Sequence, residues 1–239
     1  MKSMSMNAGS ASAAKGGNAI GIMRAGRQRV LTMPEQIAES ITLAILRGEY
    51  GPGDAVREQE LADHFQVSRG PIREALRILE KVGVITIVPQ RGAHVTSLSR
   101  QEIDNLFEIR AVLAGLVAKY VADIDESAVN QMDAIVTRLE LIAAQTDALD
   151  EYAQGSYRLS TLLFQACGNK QLAELMGALG IQTARYTRLG LRSPERRQAS
   201  VIYWRNLVEA LRKNNSVAAG QLMVELINAS HQAALNHLE

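Results

Sequence analysis

Three arginines, Arg69, Arg73 and Arg77, stand at every fourth position, so on a helix they form one ridge. A guanidinium is planar and stays charged, and it grips a phosphate or the edge of a guanine through two parallel hydrogen bonds. Beside the ridge, Ile72, Ala75, Leu76 and Leu79 follow the i, i+3, i+4, i+7 pattern of one buried stripe. Ser68 stands where it can cap the helix by accepting from an orphan backbone N–H. Pro71 falls in the first turn, where its missing N–H costs little, and Gly83 closes the helix. Gly70 leaves the helix start bare, so a partner can approach its backbone closely. Alone, such a ridge reads as a solvated basic face.

Its neighbours change that reading. Residues 58–65 carry Leu61, Ala62 and Phe65 at helical spacing, with Arg57 and Gln59 at the start of the segment. Two short helices joined by a tight turn present the N-terminal part of the second one to a major groove. Residues 84–88 and 93–96 read as short strands around Pro89, Gln90, Arg91 and Gly92, a hairpin tip with a turn glycine and a cation. Such a tip can reach a phosphate backbone or a minor groove, although it also reads as a plain surface turn. Residues 34–48 form a preceding helix with Ile37, Ile41, Ala44 and Ile45 inward, and Gly51, Pro52 and Gly53 make a turn. The expectation is a winged helix–turn–helix over residues 29–97. Its candidate DNA contacts are Arg57, Gln59, Ser68, Arg69, Gly70, Pro71, Arg73, Arg77, Arg91 and Gly92.

Bulk composition limits the alternatives. At 239 residues the chain has room for two domains, and its net charge of +1 announces no global basic field. Any DNA contact must come from local placement of charge. The single cysteine, Cys167, cannot form an intrachain disulfide, which fits a reducing compartment and a cytoplasmic protein. No apolar run is long enough to span a membrane, and the N-terminus lacks a secretory signal. Residues 1–28, rich in Met, Ser, Ala, Gly and Lys, read as a disordered tail. Arg24 and Arg27, with the neighbouring Arg29, can meet phosphates as a basic arm, although the stretch also reads as a plain solvated tail.

Residues 98–239 read as helical throughout. Ser99 and Glu102 form a capping box, opening a helix to about 122 with Ile103, Leu106, Leu113, Leu116 and Val117 as its apolar positions. Asp125, Asp147 and Ser216 are candidate caps of later helices, Gly168 and Asn169 mark a stop and restart, and Ser193-Pro194 opens another helix. The fold class expected is mostly α: an N-terminal winged helix–turn–helix followed by a six-helix antiparallel bundle. A bundle can hold a ligand between its helices.

The motifs of the first half together resemble the GntR family of bacterial transcription regulators. The carriers are Pro52-Gly53, Glu60-Leu61-Ala62, the run from Ser68 to Leu76 read as S-R-x-P-x-R-E-A-L, and Arg91-Gly92 followed by Val95. The resemblance implies that Arg69, Gly70 and Arg73 meet base edges and phosphates and that Gly92 stands at the wing tip. Gln59 holds a position where some members place an arginine, and Arg57 lies close enough to substitute. Glu108 and Arg110, the Ala166-Cys167-Gly168-Asn169 string and the helix over 193–213 resemble the FadR-type branch, with an effector-binding and dimerising helical domain.

Many members of that branch hold a divalent metal through an aspartate and three histidines. The corresponding positions here are Ser156, Ser160, Trp204 and Leu226, none of which offers a good ligand for such an ion. No metal and no cofactor are therefore expected. If the branch's geometry holds, Arg110, Ser156, Ser160, Trp204 and Leu226 line a cavity suited to a small anionic metabolite, with Arg185 adding a polar contact. The same residues can equally be plain core filling. Two readings follow. One is a homodimeric repressor on a pseudo-palindromic double-stranded operator, modulated by an organic acid. The other is an architectural DNA binder that needs no effector. The helical half offers no catalytic constellation, so an enzyme is not expected.

Overall fold

The computed structural model describes residues 30–121 and 124–238, except for the side chains of 118 and 119. The tail expected over 1–28, with Arg24 and Arg27, and the neighbouring Arg29 lie outside the described residues. Nine helices and a small sheet are found among those described.

The first part is built from α1 (Met33–Arg47), β1 (Ala55–Val56), α2 (Glu58–Phe65), α3 (Arg69–Lys81), β2 (Ile85–Val88) and β3 (Gly92–Val95). The wing is antiparallel, with Ile85 opposite Val95 and Val88 opposite Gly92. Its tip turns through Gln90 and Gly92, both at positive φ. The sequence reading missed β1, whose two residues pair with β3 and complete a three-stranded sheet in the order β1-β3-β2. So short a strand leaves no alternation to read. Ile37, Ile41, Leu61, Ile72, Leu76, Leu79, Ile85 and Val95 pack into one core, and Ile181 from a distant helix joins it.

The second part is six helices: α4 (Arg100–Tyr120), α5 (Glu126–Ile142), α6 (Leu149–Ala166), α7 (Lys170–Gly190), α8 (Pro194–Arg212) and α9 (Ser216–Leu235). The capping box of Ser99 and Glu102 forms as expected, and Asp125 accepts from Ser127 N. Two caps fall elsewhere. Ala148, buried in the core, holds the cap position of α6, which leaves Asp147 exposed in the preceding turn. Asn215, as strong a capping residue and one step earlier, accepts from Ala218 N and displaces Ser216 into the first turn. The inner face of α4 also differs. Phe107, Ala111 and Ala114 join Ile103 and Val117 in the core, whereas Leu116 is turned outward.

Arg197 is fully buried and holds the bundle together. Its guanidinium donates to the carbonyls of Ala143 and Gln145 beyond α5 and to those of Leu191 and Arg192 beyond α7. Two helix C-termini, each with orphan acceptors and partial negative charge, thus converge on one cation.

Candidate functional site

The candidate DNA-reading face is assembled by α2 and α3. The apolar stripe of Ile72, Ala75, Leu76 and Leu79 is buried, which leaves Arg69, Arg73 and Arg77 exposed on the face beside it. Arg69 Nε donates to Gln59 Oε1 at 2.9 Å, and its Nη2 reaches the same oxygen. Gln59 is itself oriented by Asp63, to which its amide donates at 2.7 Å. Arg73 pairs with Glu58 at 2.9 Å and Arg57 with Glu60 at 2.8 Å. Arg77 is exposed at the far end of the ridge, and Arg91 is exposed at the wing tip. Exposed pairs of this kind are worth little, so a phosphate or base edge can replace the α2 partner at small cost.

Ser68 holds the cap position of α3 with extended backbone, but its hydroxyl makes no capping bond. The sequence removes one of its two possible targets. A capping hydroxyl bonds the second or third helical N–H, and the third position here is Pro71, which has none. The start of α3 is left open beside Gly70, whose missing side chain would have met nothing nearer than the Ser68 hydroxyl, at 3.9 Å.

The second site is a cavity between α4, α6, α7, α8 and α9, enclosing about 610 Å³ together with its open mouth. Each helix contributes residues at helical spacing. α6 brings Ala153, Ser156, Tyr157 and Ser160, and α9 brings Met223, Leu226, Ile227 and Ser230. From α7 come Gly180, Ala184, Thr187 and Arg188, while Arg110 and Trp204 enter from α4 and α8. Five of the six residues picked from the sequence are therefore brought together: Arg110, Ser156, Ser160, Trp204 and Leu226.

Arg185 is not among them. It sits one helical step round α7, over the Tyr186 ring at 4.5 Å and bonded to the Tyr186 hydroxyl. Its side chain lines a separate crevice between α7 and the winged part. Sequence reading missed Tyr157 and Thr187. Tyr157 follows Ser156 directly, and the i, i+3, i+4, i+7 run from 153 to 160 is the signal that could have found it.

The cavity is short of partners. Arg110 Nε, Trp204 Nε1, Tyr157 Oη and Thr187 Oγ1 are buried without a hydrogen bond, and Ser156 Oγ, near the Tyr152 hydroxyl, makes none of good geometry. Arg110 is 9% exposed and spends one nitrogen on Thr183 Oγ1 at 3.0 Å. Burial pulls its pKa down to about 10, so it remains a cation at neutral pH. Burial pushes the Tyr157 phenol well above its usual range, opposed by the Arg110 cation and aided by the Glu39 carboxylate of α1. It is therefore a protonated O–H donor. Arg188 already spends its charge on Asp150. Among the described residues, the cavity wall contains no carboxylate, imidazole or thiolate. Among the described residues no group of three or more His, Cys, Asp or Glu could hold a metal ion. This donor set does not fit the divalent ion of the resembling branch.

Residues 34–95 match the family model for bacterial regulatory proteins of the gntR family, and residues 105–229 match the FCD domain. The HTH-type transcriptional regulator YdhC of Bacillus subtilis (strain 168) is 27% identical over 194 residues, covering 81% of this chain and 87% of that protein. The HTH-type transcriptional repressor GlaR of Escherichia coli (strain K12) is 30% identical over 152 residues, covering 62% of this chain and 69% of that one. The fold matches that of E. coli McbR/YncC with a TM-score of 0.75 at 16% identity, over 88% of this chain and all of the other. A winged reading head followed by an FCD bundle makes this chain a member of the gntR family of bacterial transcription regulators, in its FCD branch.

Proposed function

We propose that this regulator is a homodimeric repressor of a pseudo-palindromic operator, released by a small organic acid that binds the bundle cavity without a metal. The single observation that carries the ligand half is the set of buried donors without partners around one cavity. An unpaired buried donor costs about 1 to 3 kcal/mol, and Arg110, Trp204, Tyr157 and Thr187 each present one. A carboxylate with neighbouring hydroxyls satisfies them together. The alternative of core filling is weakened by the same atoms, because well-filled cores do not leave hydrogen-bonding groups unmatched.

The DNA half rests on the exposed ridge of Arg69, Arg73 and Arg77, the open start of α3 beside Gly70 and Pro71, and the wing cation Arg91 beside Gly92. A DNA partner supports a cytoplasmic location. Repression is favoured by the name of the relative GlaR, a transcriptional repressor. Dimerisation is supported by the outer face of α4, where Ile109, Val112, Leu116 and Tyr120 form an exposed stripe at helical spacing.

The test is selection of duplexes from a random pool at physiological salt. An inverted repeat is expected, bound far more tightly than random competitor. Arg69→Ala and Arg73→Ala should each weaken it by about 1 to 3 kcal/mol if the side chain makes a bidentate base contact. Recovery of no preferred sequence removes the operator reading and leaves the architectural one.

A further inference from the structure

The cavity and the reading head share a wall. Tyr157 lines the cavity, yet it also packs against the core of the head, alongside Ala178 of α7. On α7, Gly180, Ala184 and Thr187 face the cavity, while the intervening Ile181 is 4% exposed and belongs to the head's own core. The next residue, Gln182, donates from Nε2 to the carbonyl of Val82 at 2.8 Å. Val82 is the C-cap of α3, so this bond holds the end of the helix that carries the arginine ridge. A Cβ on the following Gly83, itself at φ +75°, would meet the Gln182 amide at 3.1 Å, which shows how closely the two elements approach. Thr183, next along, accepts from Arg110.

We infer that Tyr157 is both a ligand contact and the residue that positions the reading head, acting with Ile181 and Gln182. Its hydroxyl is free to bond an acceptor in the cavity beside Arg110. Its ring is part of the surface on which the head sits. An occupant that draws the phenol inward displaces that ring, and α7 cannot move without carrying Ile181 and the Gln182–Val82 bond. Cavity occupancy and head orientation are then one coupled equilibrium, and coupling is reciprocal: DNA that selects one head orientation must also change the cavity. The inference rests on the cavity being the effector site, but its test needs no effector.

Trp204 is the only tryptophan, is 2% exposed, and lines the same cavity with its Nε1 unpaired. The probe is the duplex recovered by selection, titrated into ligand-free protein while tryptophan emission is read. Wild type is expected to shift its emission on binding. Tyr157→Phe keeps the ring and should keep the shift. Tyr157→Leu, and independently Gln182→Met, should bind the duplex while losing at least half of the shift. Thermal melts identify any variant that has failed to fold, and the other then decides. A wild-type protein that binds the duplex with unmoved emission overturns the coupling and leaves the regulator reading intact. Full shifts in both Tyr157→Leu and Gln182→Met also overturn it. Failure to recover any preferred duplex removes the regulator reading itself, and this inference with it.

Discussion

Among the described residues, Arg110 is a buried cation with one hydrogen bond, to Thr183, and no anionic partner in the cavity wall. A buried charge without compensation destabilises the fold, and replacing it by an apolar side chain of similar volume is often neutral or stabilising. Arg110→Met is therefore expected to raise the melting temperature of the ligand-free protein, by roughly 2 to 4 °C if about 1 kcal/mol is recovered. Small mono- and dicarboxylates are expected to raise the melting temperature of wild type by mass action, and the same variant should lose that stabilisation. Chelator-treated wild type should respond to the acids as untreated protein does. A lower melting temperature in Arg110→Met would instead make the guanidinium a structural clasp on α7. At this scale much of the cavity was legible, because Arg110, Ser156, Ser160, Trp204 and Leu226 keep the positions implied by family spacing. Arg185 was not. Residue type shows that a cation exists, but rotational phase decides where it points, and neighbouring residues on α7 differ by about 100°.

Helices that wall a cavity must approach closely elsewhere, and two glycines mark where. A Cβ on Gly190 would lie 2.7 Å from Ala233 Cβ and 3.1 Å from the Ala233 backbone, so α7 and α9 cannot separate locally without opening the bundle. A Cβ on Gly155 would lie 2.6 Å from Leu139 Cδ2, a side-chain end rather than backbone. Gly190→Ala is expected to cost about 1 to 3 kcal/mol through overpacking, and Gly155→Ala less than half as much, read from urea or thermal melts. The reverse order would mean that α6 and α5 are the stiffer pair. Elements were the most legible level, since every long helix announces itself by apolar period and by a cap or stop signal. What failed were details set by packing. Ala148 holds a cap position because it is buried, Asn215 outcompetes Ser216, and Ser68 loses a target because Pro71 has no N–H to give. Arg197 could not be picked out from other arginines, because its carbonyl partners come from two separate inter-helix turns.

A palindromic operator demands two heads at fixed spacing, and the surface that could set it lies on α4. Ile109, Val112, Leu116 and Tyr120 are 49%, 71%, 36% and 48% exposed, an apolar stripe that nothing in the chain covers among the described residues. α4 is also the helix that carries Arg110 into the cavity and packs along α9, so a dimer axis on its outer face would connect the partner to that cavity through one element. Val112, the most exposed of the four, contributes little to the fold of one copy. Val112→Glu should therefore leave the melting temperature nearly unchanged in dilute solution while converting the protein to a monomer, as read by sedimentation at micromolar concentration. The monomer should keep its affinity for a single half-site, whose contacts lie wholly on one head. It should lose at least tenfold in affinity for the full inverted repeat, because the second head no longer binds at the high effective concentration that linkage provides. Dimers that persist in Val112→Glu would place the two-fold axis on another face, and an undiminished preference for the inverted repeat would show that the heads do not need to be joined at all.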